Sequence, residues 1–362
     1  MITIKDIAKE AQVSEGTVDR VLHDRGGVSQ KTKEKVEKIL EKHNFKVNPV
    51  ARALAMKNKF KILTLTPNFD TNNVFWKSPY LGILKAKDEV ENYGVDVENY
   101  FFNQFDPSSY LEQFNILIKS DPTAVIIVPT FMTETKQIVN QLEQLNIPYL
   151  FLNIDLDGFN NISFIGQDSY MGGYVAGKLM HLSLGKNTST LVVHARLNLT
   201  NYHAISRRIE GFNDYFIKNN IKNKVLTLSI DGFNNDASIE KKINSFLEEH
   251  QEIKGVFVPS SRVATIANAI NSNYLAKLQI IGFDNTKQNI ESLATDQVAF
   301  LISQKPFEQG YESIHLMSDF LVKNKIPKNK IYSPIDILTK ENAIFNERNE
   351  TDFESFEQLS YE

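Results

Sequence analysis

Hydrophobic positions follow two different periods along the chain. Over the first 43 residues, apolar side chains recur every three or four positions in three short stretches, which predicts amphipathic helices. From Phe60 onward, short apolar runs such as Val125-Ile126-Ile127-Val128 alternate with helical stretches. Such alternation predicts strands joined by helices in parallel sheets. The pattern therefore predicts a small all-α head followed by an α/β body with two parallel sheets.

Hydroxyl side chains precede each predicted helix of the head, where they can cap the first turn. They are Thr3 before residues 4–11, Ser14 before a helix that includes Thr17 to Leu22, and Ser29 before residues 31–43. Two short helices joined by a tight turn indicate a helix-turn-helix, whose second helix enters the major groove by its N-terminal end. Ser14 to Arg20 are thus expected to face bases. An ordinary three-helix bundle fits the helix pattern equally well.

Composition places the 362-residue chain among globular proteins of two or three domains, with 42% hydrophobic and 23% charged residues. The absence of cysteine excludes disulfides, thiolate nucleophiles and cysteine-ligated zinc. No apolar run approaches the roughly 18 residues of a membrane span. The N-terminus also lacks the apolar block of a signal peptide. We therefore expect a cytoplasmic protein with no membrane partner.

Charge is divided unevenly between the two regions. Residues 1–61 contain 14 Lys and Arg against 8 Asp and Glu, for a net charge of +6. The other 301 residues contain 26 Lys and Arg against 36 Asp and Glu, for a net charge of −10. A basic head on an acidic body indicates a nucleic-acid-binding module, although charge alone leaves chance asymmetry as an alternative.

Motifs of catalysis are poorly represented. Gly172 to Lys178 nearly fits a phosphate-binding loop, but Leu179 replaces the hydroxyl that would bind Mg²⁺, and the stretch has a helical pattern. The seven histidines show no metal-ligand spacing, and neither G-x-S-x-G nor G-x-G-x-x-G occurs. No catalytic residue, metal site or cofactor is predicted.

The head carries a nearly continuous set of motifs over about 55 residues. They are Thr3-Ile4-Lys5-Asp6-Ile7-Ala8, Ala11, Val13-Ser14, Thr17-Val18, Arg20-Val21-Leu22, Val28-Ser29, Thr32-Lys33-Glu34-Lys35-Val36 and Asn48-Pro49-Val50-Ala51-Arg52-Ala53-Leu54-Ala55. In this order they resemble the DNA-binding head and hinge helix of the lactose-repressor (LacI/GalR) family. The resemblance implies a helix-turn-helix domain at 1–47 and a hinge helix and linker at 48–60.

The resemblance also implies which residues contact operator DNA. Glu15 and Gly16 match the variable base-reading pair, and Arg20 matches a base-contacting arginine. The full implied set is Thr3, Ser14, Glu15, Gly16, Thr17, Arg20, His23, Ser29 and Thr32 in the head, and Asn48, Ala51, Leu54 and Ala55 in the hinge. In the family the residue matching Leu54 wedges into the minor groove, while the small residues let two hinge helices approach. Asp19 departs from the small serine that is usual there.

The body also carries an ordered series of motifs. They are Asn72-Asn73-Val74-Phe75-Trp76, Ile147-Pro148, Gln167-Asp168-Ser169-Tyr170-Met171-Gly172-Gly173, Arg207-Arg208-Ile209-Glu210-Gly211-Phe212, Ile281-Gly282-Phe283-Asp284 and Gln304-Lys305-Pro306-Phe307-Glu308-Gln309-Gly310. They resemble the periplasmic-binding-protein type I fold, which implies a ligand-binding domain at 61–345 with two doubly wound parallel-sheet lobes. We expect the lobes at 61–165 with 295–325 and at 166–294 with 326–345. The acidic tail, 346–362, lacks the leucine heptads of a tetramer-forming coiled coil.

In ribose- and galactose-type proteins of this fold, the matching positions line the cleft between the lobes. The implied ligand-binding residues are Asn73, Phe75, Trp76, Asn153, Asp155, Asp168, Arg208, Ser260, Asp284 and Gln304. Aromatic faces and bidentate polar groups suit sugars, because each buried hydroxyl needs a partner. Two alternatives stay open: Trp76 as core packing, and Arg208 as the partner of Glu210 or Asp168. Asn153, Ile154 and Ser260 depart from the common sugar-binding pattern.

These inferences favour a homodimeric, sequence-specific DNA-binding transcriptional regulator, a repressor controlled by a small molecule. A carbohydrate is the expected effector, bound between the lobes. The runner-up is a solute-binding sensor or receptor without a DNA role. A sugar-processing enzyme is a third class, for which the sequence offers no nucleophile or acid–base pair.

Overall fold

A computed structural model describes most of the chain, and the chain folds as two compact units, Met1–Lys57 and Asn58–Glu362. The described residues are 2–22, 26–43, 45, 60–70, 74–184, 187–194, 203–230 and 236–346. Six of the predicted site residues lie outside these ranges: His23, Asn48, Ala51, Leu54, Ala55 and Asn73. Nearly all of the acidic tail lies outside them too.

The head is helical, and its helices begin where hydroxyl caps were predicted. Its described helices are α1 (Ile4–Ala11), α2 (Glu15–Leu22) and α3 (Gln30–Lys42). Thr3 caps α1 in a reciprocal arrangement, because its Oγ1 accepts from the Asp6 amide at 3.3 Å while the Asp6 carboxylate accepts from the Thr3 amide at 2.9 Å. Ser29 Oγ accepts from the Thr32 amide at 3.3 Å and caps α3. A small core holds the helices together, formed by Ile7, Ala8, Ala11, Val18, Val21 and Val36.

The larger unit alternates strands and helices, as the apolar runs predicted. Its described elements are, in order, β1 (Phe60–Pro67), α4 (Lys77–Glu91), β2 (Val95–Phe102), α5 (Pro107–Leu117), β3 (Ala124–Ile127), α6 (Met132–Gln144), β4 (Tyr149–Leu152), β5 (Ser163–Gly166), α7 (Ser169–Leu184), β6 (Thr188–His194), α8 (His203–Lys218), β7 (Asn223–Ser229), α9 (Asp236–Glu249), β8 (Ile253–Phe257), α10 (Val263–Ala269), α11 (Ser272–Leu275), β9 (Gln279–Phe283), α12 (Lys287–Ala294), β10 (Phe300–Ser303), α13 (Pro306–Lys323), β11 (Lys330–Tyr332) and β12 (Asp336–Leu338). Single 3₁₀ turns lie at Val74–Trp76, Ile118–Ser120 and Ala343–Phe345.

These strands form two sheets, one for each lobe. Among the described residues, each sheet has six strands, in the orders β11-β5-β4-β3-β1-β2 and β12-β10-β9-β8-β6-β7. The strand pairs are parallel except for the antiparallel pair of β10 and β12. Buried apolar clusters lie on both faces of each sheet, as a doubly wound fold requires. The predicted fold class is confirmed.

The predicted lobe boundaries need correction at the second and third crossings. β10 was expected in the first lobe but pairs with β9 of the second sheet, so the second crossing comes after Ser303. β11 was expected in the second lobe but pairs with β5 of the first sheet, so the third crossing lies between Tyr332 and Asp336. The sequence pattern predicts where strands occur, but it does not show which of the two sheets each strand joins.

Glycines allow one close helix crossing in each lobe. A Cβ added at Gly173 of α7 would lie 1.9 Å from the Arg208 carbonyl oxygen on α8. The reciprocal contact is at Gly211, whose added Cβ would lie 1.9 Å from the Tyr170 carbonyl oxygen. In the first lobe, Gly82 of α4 and Gly310 of α13 approach the facing helix backbone in the same way. Gly173 is therefore a helix-packing residue, whereas Gly172 lies against the side chains of Gln167 and Phe283. The resemblance to a phosphate loop is a coincidence of composition.

Candidate functional site

Arg208 forms the centre of the candidate site. It shares the buried face of α8 with Phe212 and Tyr215, four and seven positions later, and its exposed fraction is 5%. One terminal nitrogen, Nη1, donates to the Pro259 carbonyl oxygen at 2.9 Å, and the guanidinium lies 4.0 Å from the centre of the Phe283 ring. Its Nε is buried without a hydrogen-bond partner. A buried donor that has no partner within the protein requires one from water or from a ligand.

The neighbouring arginine explains which of the two is available for ligand. Arg207 is more exposed and forms a 2.5 Å ion pair with Glu210 on the same helix. Arg208 instead contacts Pro259 and Phe283. The alternative in which Arg208 pairs with Glu210 is therefore not what the structure contains.

Asp284 and Gln304 extend the site from the ends of β9 and β10. Asp284 follows β9 with a left-handed backbone, φ 71°, and its exposed fraction is 3%. Gln304 Nε2 donates to its carboxylate Oδ1 at 2.6 Å. The Asp284 backbone amide donates to the Ile302 carbonyl oxygen at 2.9 Å, which fixes the residue at the carboxyl edge of the second sheet. Ligands of doubly wound folds bind at that edge.

Burial shifts the pKa values of the two charged groups in opposite directions. Desolvation raises the pKa of Asp284 to about 6, against the opposing effects of Arg208 and the Gln304 hydrogen bond. Desolvation lowers the pKa of Arg208 to about 10, and the Asp284 carboxylate opposes that change. Each charge therefore partly stabilises the other in a dry environment.

Ser260 follows β8 beside these groups, and its Oγ is buried without a hydrogen-bond partner. Asn289 of α12 joins the neighbouring loops, because its Nδ2 donates to the carbonyl oxygens of Ser261 at 2.9 Å and of Asp284 at 3.0 Å. The structure thus brings together four of the predicted ligand-binding residues on the second lobe: Arg208, Ser260, Asp284 and Gln304.

Asn153 lies at the corresponding edge of the first sheet, directly after β4. Its backbone is also left-handed, with φ 67°, and its amide Nδ2 donates to Gln309 Oε1 at 3.0 Å. Gln309 Nε2 in turn donates to the Gln304 carbonyl oxygen at 2.7 Å. A buried chain of amides therefore connects Asn153 with Gln304.

The two predicted aromatic residues differ in their surroundings. Trp76 is 7% exposed and packs in the core of the first lobe. Phe75 is half-buried, lies edge-on to Trp76 with ring centres 5.0 Å apart, and lines a cavity of about 680 Å³ together with Ser261 and Arg262 of the second lobe. Trp76 therefore packs in the core, as the alternative interpretation expected. Stacking of Trp76 on a ligand stays a prediction.

Two predicted acidic residues are engaged elsewhere. Asp155 accepts from Lys330 Nζ at 2.6 Å and pairs with the start of β11. Asp168 Oδ1 accepts from the Met171 amide at 3.0 Å at the start of α7. Asp155 forms an ion pair and Asp168 accepts from a free amide at a helix start, and their place in the ligand-binding set stays a prediction.

Gln167 connects the three crossings between the lobes, a role that sequence reasoning missed. It lies in the first crossing and is almost fully buried. Its Nε2 donates to the carbonyl oxygen of Ser303 in the second crossing at 2.9 Å and to that of Pro334 in the third at 3.1 Å. Its Oε1 is buried without a hydrogen-bond partner.

Gln309 and Asn289 were also missed. The available signal was a polar residue within an otherwise buried helix face, since Gln309 is flanked on α13 by buried Phe307 and Gly310. Such a residue must find partners, but a sequence does not show which ones.

In the head, the predicted base-reading residues are accessible. Glu15, Gly16 and Arg20 are exposed on α2. Ser14 Oγ accepts from the Thr17 amide at 3.2 Å, so Ser14 caps this helix as Thr3 and Ser29 cap theirs. Thr17 and Thr32 also contact their cap hydroxyls, at 2.9 Å and 2.8 Å. The N-terminal end of α2 is therefore exposed at Glu15 and Gly16.

No described helix combines the length and the apolar character that a membrane span requires. The described residues also contain no cluster of three or more histidine and carboxylate side chains placed to hold a metal ion.

Two protein families match the chain in separate segments. Residues 3–48 match the lacI family of bacterial regulatory proteins. Residues 63–325, well over half of the chain, match a periplasmic binding protein domain. The two segments fall in the head and in the two-lobed unit.

Curated relatives share both parts. The chain is 26% identical to a ribose operon repressor from Lactococcus lactis subsp. lactis, over 94% of this chain and 98% of the relative. It is 24% identical to the catabolite control protein A of Priestia megaterium, over 92% and 96%.

Solved structures resemble the two-lobed unit. A LacI transcriptional regulator structure from Bacteroides fragilis has a TM-score of 0.74 at 24% identity, covering 80% of this chain and 99% of that one. A glucose-galactose binding protein from Geobacillus stearothermophilus has a TM-score of 0.68 at 20% identity, covering 79% and 99%. The chain therefore belongs to the lacI family of bacterial regulatory proteins, and it is a DNA-binding transcriptional regulator whose larger unit is a periplasmic-binding-protein domain.

Proposed function

We propose that this protein is a cytoplasmic, homodimeric repressor whose operator affinity is controlled by a neutral sugar bound between the two lobes. The observation that carries the proposal is the buried group of Arg208, Asp284 and Gln304, with partner-less polar atoms at Arg208 Nε and Ser260 Oγ. These atoms need hydrogen-bond partners that a polyhydroxylated ring can supply.

The charge of the site favours an uncharged ligand. Arg208 and Asp284 are both nearly fully buried and offset one another. A strongly anionic effector would bring more negative charge beside the Asp284 carboxylate, which costs free energy in a dry site. The names of two relatives, a ribose operon repressor and a glucose-galactose binding protein, agree with a monosaccharide.

DNA recognition is assigned to the exposed end of α2. Glu15, Gly16 and Arg20 would contact base edges, with Arg20 suited to bidentate contact with guanine. Two heads of a dimer would read the two half-sites of a near-palindromic operator. Effector binding and DNA binding are then linked reciprocally, so a sugar that weakens operator binding is itself bound less tightly by the operator complex.

A thermal-shift screen of the full-length protein tests the effector. The panel contains D-ribose, D-galactose, D-glucose and D-arabinose, their phosphates, and nucleosides. A ligand at about 100 times its Kd adds roughly 2.7 kcal/mol of stability, so a binding neutral sugar raises the melting temperature clearly. Arg208→Ala should lose the shift, while the matched control Arg207→Ala should keep it. A shift by sugar phosphates alone, or one that survives Arg208→Ala, would overturn the site assignment.

Selection of bound fragments from a random duplex library tests the DNA role. The expected result is enrichment of a near-palindromic site. The Arg20→Ala variant should enrich a site with a different base preference in each half-site. Binding of the panel sugar without any enriched sequence would favour the solute-binding sensor instead.

A further inference from the structure

Gln309 is a fully buried residue of α13 that touches both lobes' binding residues without itself belonging to either set. Its exposed fraction is 0%. Its Oε1 accepts from Asn153 Nδ2 at 3.0 Å, and its Nε2 donates to the Gln304 carbonyl oxygen at 2.7 Å. Gln304 holds the Asp284 carboxylate at 2.6 Å through its own side chain.

A single backbone atom fixes which groups donate and which accept in this series of hydrogen bonds between Asn153, Gln309 and Gln304. The Gln304 carbonyl oxygen can only accept, so the Gln309 amide must turn its nitrogen toward Gln304. The oxygen of the same amide then faces residue 153, and that position requires a donor. Asparagine supplies one through Nδ2, whereas an ionised aspartate would place two acceptors against one another.

The remaining amide atom of Asn153 is its Oδ1, an uncharged acceptor. The first lobe therefore has a neutral acceptor at the position where Asn153 departs from the common sugar-binding pattern. A hydroxyl donor on the ligand satisfies such an atom, and a second acceptor does not.

We propose that Gln309 is a positioning residue that fixes the Asn153 amide, so that Asn153 Oδ1 accepts a hydrogen bond from a ligand hydroxyl. The hydroxyl assignment rests on the proposed sugar-binding function. The pairing of Gln309 with Asn153 does not depend on any ligand.

A ligand-free double-mutant cycle tests the pairing. The variants are Asn153→Asp, Gln309→Met and the double variant, each compared by melting temperature at pH 8. Burial of a carboxylate costs the same in both backgrounds and cancels in the cycle. Asn153→Asp should therefore lower the melting temperature by about 3–6 °C more in the Gln309 protein than in the Gln309→Met background. Equal losses in the two backgrounds would overturn the proposal.

Acidic pH supplies a second readout of the same cycle. A protonated carboxyl at position 153 again donates to Gln309 Oε1, so the excess loss should shrink by at least half between pH 8 and pH 5. Ser313→Ala is the matched control, because Ser313 is buried on the same helix and donates to the Gly310 carbonyl oxygen instead. Its effect should be additive with Asn153→Asp at both pH values. An excess loss that is independent of pH would contradict the donor requirement.

Monodeoxy analogues of D-ribose, D-galactose and D-arabinose test the hydroxyl assignment. Removal of one particular hydroxyl should raise the Kd for the wild-type protein about tenfold, and it should raise the Kd for Gln309→Met less than threefold. Equal sensitivity in both proteins would overturn the assignment. If no sugar in the panel binds, the proposed function and the hydroxyl assignment both fail, while the ligand-free cycle still decides the pairing.

Discussion

The two lobes place an equivalent residue at the edge of each sheet, but its side chain is a neutral amide in one lobe and a carboxylate in the other. Asn153 follows β4 and Asp284 follows β9, with φ angles of 67° and 71°. Their backbone amides donate to the next strand in the same way, at 2.7 Å to Ile165 and at 2.9 Å to Ile302. Asparagine and aspartate tolerate this left-handed backbone better than most residues do.

The difference lies in the side chains that surround each position. Asn153 is neutral and hydrogen-bonded to the neutral amide of Gln309. Asp284 is charged and shares its buried site with Arg208 and Gln304. One backbone framework thus positions two candidate ligand-binding groups, and the choice between amide and carboxylate places the buried negative charge on the second lobe.

The largest expected effect tests whether the lobes are built alike. Gly173→Ala and Gly310→Ala would each place a Cβ about 2 Å from a carbonyl oxygen of the facing helix, on Arg208 and Pro79 respectively. Because backbone atoms must move apart, each should lower the unfolding free energy by about 4 kcal/mol. Urea unfolding measures this change. The control Gly26→Ala has nothing within 4 Å and should change stability little. A cost confined to one lobe would break the comparison.

Asp284→Asn makes the second lobe resemble the first. The folded-state pKa of about 6 lies above the ordinary 3.8, so the protonated carboxyl contributes stability that is present below pH 4 and lost as the pH rises through 6. The unfolding free energy of the ligand-free variant should therefore exceed that of wild type by up to about 3 kcal/mol at pH 8 and by less than about 1 kcal/mol near pH 4. Urea unfolding at both pH values measures this difference. Asp296→Asn, an exposed carboxylate paired with Lys340, should give no such gain. A wild type more stable than Asp284→Asn at pH 8 would contradict the burial argument.

Arg208→Ala tests the charged lobe through binding. Loss of a buried charged donor should weaken effector affinity by about 100-fold, measured by calorimetry. Arg207→Ala on the exposed face should change the affinity less than threefold. Similar losses in both variants would mean that the helix as a whole, rather than the buried guanidinium, is responsible.

The smallest expected effect concerns the connection between the lobes. Gln167→Leu leaves two carbonyl oxygens without their donor, and it should cost about 2 kcal/mol of stability. Gln144→Leu, exposed at the end of α6, is the control and should cost much less. Differential scanning calorimetry distinguishes a uniform loss from a separate melting of the two lobes. No loss in Gln167→Leu would remove its assigned role at the crossings.

Local features of the fold could be predicted because they depend on neighbouring residues. The caps at Thr3 and Ser29 and the apolar run at 125–128 lie within a few positions of the elements that they define. Sheet membership of β10 and β11 depends on pairing with distant strands, and for that reason the predicted lobe boundaries were wrong.

For the candidate site, the sequence could suggest which residues matter, but it could not show the contacts that these residues make. The spacing of Arg208 with Phe212 and Tyr215 already places it on the buried side of its helix. The engagement of Asp155 by Lys330, 175 positions later, has no counterpart in local sequence. Gln309 was missed for the same reason, because its partners Asn153 and Gln304 come from separate segments.

A crystal structure with the neutral sugar that gives the largest thermal shift tests the central claim most directly. The account predicts ring hydroxyls within about 3.2 Å of Arg208 Nε and of the Asp284 carboxylate, and one hydroxyl on Asn153 Oδ1. A sugar bound outside the cleft, or inside it without contact to Arg208 and Asp284, would contradict the account.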